Sequence, residues 1–216
     1  MIEVTRHFNA LCEEFVEVTL RFDPVAATAA GIHDYDHRLP DDTPAGGEER
    51  ATWLADFERR LDDQVGGAPL PAAARADHGL LRALIAGRRL ARERIRSHAR
   101  DPVRYPVAAM LGIELLLARP FAPLDERKEA ALERLMAIPE YLDGARANLA
   151  DAPRSLVRAA IEISGTGPQF IDDAARALIR SYPGEEERLE HAASRARVGL
   201  FRYLEFVERE LAPRAA

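Results

Sequence analysis

The window AAGIHDYDHRLPDD, residues 29–42, places His33 and His37 four apart among Asp34, Asp36, Asp41 and Asp42. Imidazoles and carboxylates at that density are the raw material of a zinc site, which needs four ligands, or three and a water. On a helix the two histidines would share a face. Gly31 before them, Pro40 after them and the Asp-Tyr-Asp between them favour a turn, in which Asp side chains bond nearby backbone. In extended chain, His33, Tyr35 and His37 would share one side, with Asp34 and Asp36 opposite. The window therefore reads as a polar scaffold loop facing a ligand cleft. Its candidate site residues are His33, Asp34, Tyr35 and Asp36, with no metal.

Other residues raise the same question singly. In PVAAMLGIELLLARPF, Glu114 shares its helical face with Val107, Met110, Leu111 and Ala118. A carboxylate there is expected to pair with an arginine, take up a proton or line a cavity. Glu162 is a weaker case, because Arg158 lies four residues earlier and can pair with it. Arg104 and Tyr105, between Pro102 and Pro106, place polar groups at a helix entrance. The GTG at 165–167 follows a helix rather than a strand, so neither a P-loop nor a dinucleotide fingerprint is present. Ser155, Ser164 and Cys12 have no nucleophile motif around them.

Helices must position these groups. Val4, Phe8, Leu11, Phe15, Val18 and Phe22 line one helical face, which should end near Asp23-Pro24. Asp23 can cap a short helix that opens on Pro24 and closes at Gly31. Residues 32–47 read as loop. A further helix from about Glu48 turns Trp53, Leu54, Phe57 and Leu61 inward. The next opens at Pro71, and Leu80, Leu84, Ala91 and Ile95 are its expected inner face, with Gly87 admitting a close neighbour. An apolar helix reaches Ala118. From Leu124 to Leu149 one apolar face continues across Pro139, which predicts a kinked pair of helices. SGTGPQF is expected to break or kink the helix restarted at Pro153, and a last helix runs from about Glu185 to Leu211. No stretch alternates as a strand would. The predicted fold is all-α, an irregular array of about seven or eight antiparallel helices without substantial sheet, in one domain over 1–216.

Composition excludes several classes. A net charge of -6 argues against nucleic acid, which needs clustered cations. The longest apolar run, Tyr105 to Ala118, is broken by Glu114 and too short for a bilayer. One cysteine permits no intrachain disulfide, and acids interrupt the first residues where a signal peptide would be apolar, so a cytoplasmic protein is expected. Lys128 is the only lysine among 30 basic residues, a bias attributed to a GC-rich genome.

Three segments carry a resemblance. RFDPVAATAAGIHDYDHRLPD, RPFAPLDERKEAALERLMAIPEYLDGARANLADAP and AIEISGTGPQF look like the N-terminal part of the bacterial domain of unknown function 885 family. The middle segment is the most specific, through Leu132, Arg134, Leu135, Ile138, Pro139, Leu142, Ala145, Arg146, Asn148 and Leu149. The family resembles gluzincin zinc metallopeptidases, helical proteins usually more than twice this long. In those, a His-Glu-x-x-His helix binds zinc and its glutamate activates water. Here His7, His33, His37, His78, His98 and His191 form no such motif, so no catalytic residue carries over and no cofactor is expected. The resemblance implies a truncated or split relative, the helical wall of a substrate cleft, not catalytically complete alone. Expected partners are a separate catalytic chain or a second copy, and a peptide-like or small-molecule ligand, but neither nucleic acid nor membrane. Two alternatives stand: a self-sufficient helical binding protein that lost the zinc site, and a metal-free enzyme using an inter-helix pocket.

Overall fold

The structure is a computed structural model that describes residues 2–67 and 69–216. Among these residues the chain forms nine α-helices and no strand, one or two helices more than the stripes predict. They are α1 (Ile2–Phe22), α2 (Pro24–Ala29), α3 (Pro44–Val65), α4 (Ala72–Leu90), α5 (Ser97–Arg100), α6 (Arg104–Ala118), α7 (Leu124–Arg146), α8 (Arg154–Ser181) and α9 (Glu186–Phe206). The surplus comes from short pieces such as the single turn α5, which shows no stripe. No helix among the described residues is long and apolar enough to cross a membrane. Contacts divide the chain into two compact units, Met1–Phe22 with Ala45–Ser97, and Asp23–Pro44 with His98–Ala216.

In the first unit, α1 turns Phe8, Leu11 and Phe15 onto Leu54, Phe57 and Leu61 of α3 and Leu81 and Ile85 of α4. The Phe15 ring lies 5.2 Å from Phe57 and 5.9 Å from Trp53. The α1 and α3 stripes bury as their spacing predicts. The α4 stripe does not. Its buried face is Ala74, Leu81 and Ile85, whereas Leu80, Leu84 and Ile95 are exposed. This helix has two apolar faces, and α1 and α3 cover the one with fewer leucines. Beyond α4 the backbone makes a π-turn, Ala91–Ile95, closed by Arg96 at φ 58.

In the second unit, Ile113 and Leu115 of α6, Leu135, Ile138 and Leu142 of α7, Ile171 and Leu178 of α8, and Leu189 and Leu200 of α9 share one core. Both α7 and α8 run through their prolines, Pro139 and Pro168, as continuous helices rather than separate pieces. Each proline removes one helical hydrogen bond and frees the carbonyl four residues back. Tertiary packing outweighs that loss. A Cβ on Gly199 of α9 would lie 2.8 Å from Pro139 Cα, so α9 seats directly on the backbone of α7 at its proline. Lys128 is buried against Glu185 and Glu129 and lies 4.4 Å from the Tyr182 ring, joining α7 to the turn before α9.

Within α8, Ser164 is fully buried and its Oγ has no hydrogen-bond partner among the described residues. An unsatisfied buried hydroxyl retains its desolvation cost. Ser164→Ala is expected to raise stability by about 1 kcal/mol, read as a higher midpoint in urea unfolding.

Candidate functional site

Four polar side chains recur every seven residues along α7 and its C-terminal turn: Arg127, Arg134, Tyr141 and Asn148. Seven residues make two turns, so all four lie on one side of the helix. Each holds a connecting segment. Arg127 is buried and donates to the carbonyls of Leu116 (2.8 Å), Leu117 (3.1 Å) and Ala122 (2.9 Å), which closes the C-terminal end of α6. Tyr141 donates to Asp42 Oδ2 at 3.1 Å, and Asn148 donates to the Asp42 carbonyl at 2.5 Å. Burial first, then the Asp42 charge, pushes the Tyr141 phenol well above its ordinary range, so it remains a donor.

Arg134 is the centre of the ladder. It is completely buried. Its Nε donates to the Arg38 carbonyl at 2.9 Å, Nη1 to the Gly112 carbonyl at 2.6 Å, and Nη2 to the Pro24 carbonyl at 3.2 Å and Thr28 Oγ1 at 2.7 Å. Thr28 Oγ1 in turn donates to Asp36 Oδ1 at 2.5 Å, and the Asp36 carboxylate stands 3.9 Å from the guanidinium. Burial pushes Arg134 down to about 10, with Asp36 and Asp23 opposing, which leaves it cationic at neutral pH. One planar donor fork thus ties α2, the 30–43 loop and α6 to α7. The geometry suits arginine alone, because a lysine ammonium has no fork.

The consequence appears at His33. Its Nδ1 meets Asp36 Oδ2 at 2.8 Å, and its ring stacks on Phe121 with centroids 3.7 Å apart and planes 9° apart. Arg119 donates to the Ala29 carbonyl at 3.1 Å and holds the two segments together. Asp36 is an acceptor, so Nδ1 is the donor in this contact; the pairing fixes the ring's orientation and turns Nε2 away from Asp36. His33 is exposed while Thr28, Asp36 and Arg134 behind it are buried.

The sequence candidates therefore separate. His33 and Asp36 come together; Tyr35 is half-buried and Asp34 exposed in the same turn. The histidine window is a turn whose buried acid serves the loop, and no group of three His, Cys, Asp or Glu is placed to hold a metal among the described residues. Arg104 and Tyr105 open α6, and their roles diverge. Arg104 is exposed, 3.9 Å from Asp42. Tyr105 is fully buried and donates to the His98 carbonyl at 2.5 Å, so it belongs to the core. Glu114 and Glu162 are both exposed. The burial that would have made Glu114 reactive is absent, since Val107 and Leu111 on its face are 38% and 39% exposed. None of these candidates lines the open groove of about 600 Å³ in the first unit, beside Glu58, Asp62, Arg88 and Arg92, where Arg89 is already paired with Glu58 at 2.9 Å. The ladder was the missed signal. Polar residues every seven positions beside an apolar face are legible in the sequence, and the buried charge is Arg134 rather than Glu114.

The model of the family described as bacterial protein of unknown function (DUF885) matches residues 24–216. No curated protein matches the chain. A solved chain from Shewanella oneidensis, provisionally described as a lipoprotein of unknown function, superposes with TM-score 0.83 at 20% identity, over 95% of this chain and 38% of that one. At that identity the likeness is one of fold, and this chain spans well under half of that protein's length.

Proposed function

Because this chain belongs to the bacterial DUF885 family, we propose that it forms the helical wall of a zinc-peptidase-like hydrolase, displaying the His33 loop to a ligand and not catalytically complete by itself. The observation that supports this most is the construction of the loop. A buried arginine, threonine and aspartate hold one exposed imidazole in a single orientation against Phe121. Such support behind one polar ring is what a surface needs to meet a hydrogen-bonding group in a fixed place. A peptide-like or small-molecule ligand carries such groups. The metal-activating His-Glu-x-x-His helix is not in these 216 residues, so hydrolysis in this reading needs a catalytic part beyond them. A cytoplasmic setting is part of the reading and rests on the single cysteine.

The direct test is metal analysis of the purified chain after dialysis, with peptidase assays on fluorogenic peptides with and without added zinc. The expected result is no stoichiometric zinc and no zinc-dependent cleavage by the chain alone. Tightly held zinc at one per chain, or zinc-dependent cleavage without a second polypeptide, overturns the proposal.

A further inference from the structure

The face of α4 turned away from its own core carries a seven-residue repeat. Ala73, Leu80 and Gly87 occupy one position of it, and Ala76, Ala83 and Leu90 the other. Two apolar positions per seven residues are the seam of a helix pair. Leu80 is 60% exposed, Leu90 51% and the adjoining Leu84 42%. No charge falls in the seam between Ala73 and Leu90, and a Cβ on Gly87 would meet nothing within 4 Å. The helix already has a buried face in Leu81 and Ile85, so this second face is surplus to the fold of the unit.

We propose that this face is a dimer interface, with the occupant a second copy of the chain in which α4 packs antiparallel on α4. In an antiparallel pair the two seam positions face each other, and facing residue numbers have a constant sum. For two copies of α4 the pairing sets Ala83 of one against Gly87 of the other, and Leu80 of one against Leu90 of the other. Each pair occurs twice about a two-fold axis level with Ile85, as an isologous interface requires. The smallest residues meet at the axis, where backbones can approach closely, and leucine pairs close both ends. Antiparallel alignment also sets the two helix dipoles in opposition. This inference is independent of the cleft-wall reading.

Sedimentation equilibrium on the intact chain tests it. The expected mass is twice 24.0 kDa. Ala83→Glu places an unpaired carboxylate in the seam and is expected to weaken association by about tenfold or more, with an unchanged circular dichroism spectrum. Leu80→Lys is the second variant, should Ala83→Glu disturb folding. The register is tested by oxidation in a Cys12→Ala background. Leu80→Cys alone should not cross-link, because its two copies stand about 15 Å apart along the axis. A mixture of Leu80→Cys and Leu90→Cys chains should cross-link. A monomer at all concentrations, a dimer indifferent to both seam variants, or self-cross-linking of Leu80→Cys alone overturns the proposal. A monomer would leave a helix of another protein as the occupant.

Discussion

Arg134→Met is expected to lower stability by about 3–5 kcal/mol, the cost of breaking a buried charged network by removing one partner. For a domain of this size that is a fall of roughly 6–20 °C in Tm. The methionine fills the volume but leaves the carbonyls of Pro24, Arg38 and Gly112 without their donor and the buried Asp36 without its countercharge. Arg134→Lys should recover only part of the loss, since one ammonium cannot reach four acceptors arranged for a planar fork. Far-UV circular dichroism is the suitable probe, because the single tryptophan, Trp53, lies in the other unit. Hydrogen exchange should find the 30–43 loop unprotected in the variant at temperatures where α8 and α9 remain folded. A loss below about 1 kcal/mol, the size of one ordinary hydrogen bond, would remove the central role assigned to this residue.

Gly199→Val is expected to destabilise by about 1–3 kcal/mol or more through overpacking. A Cβ there would lie 2.8 Å from Pro139 Cα and 3.0 Å from its N, and backbone cannot turn aside as a side chain can. Gly199→Ala separates two opposing effects. Alanine gains about 1 kcal/mol of helix propensity over glycine, but the clash costs as much or more. The net change should fall between neutral and moderately destabilising. Gly165→Ala in α8 is the matched control, because nothing lies within 4 Å of its Cβ. It should stabilise by about 0.5–1 kcal/mol. Thermal melts of the three variants check the order. Equal effects at positions 199 and 165 would mean that α9 does not seat on the proline of α7.

Arg134 stood in the segment that carries the family resemblance and Gly199 outside it, yet the sequence did not disclose the work of either. Periodicity located the helices because burying an apolar face is a local requirement, repeated each turn. It therefore found the stripes of α1, α3, α7 and α9, and Asp23 as the cap of α2, whose carboxylate accepts from Ala26 at 3.0 Å. It could not choose between the two apolar faces of α4, because that depends on which face α1 and α3 reach. Nor could it rank the charges. Glu114 sits in the most apolar helix and is exposed; Arg134 sits in a charged one and is completely buried.

The sequence by itself determined the helical class, the caps and turns, the kinship, and the lack of a His-Glu-x-x-His pair, since each depends on neighbours within a few positions. Only the tertiary structure decided that Pro139 and Pro168 stay inside helices, that the His33 ring is held in place by Asp36, and that Arg134 joins segments 22 to 110 residues away. A hydrogen bond or a desolvated charge gets its energy from the groups that folding brings beside it. Those groups lie far off in the chain, so local spacing holds no record of them.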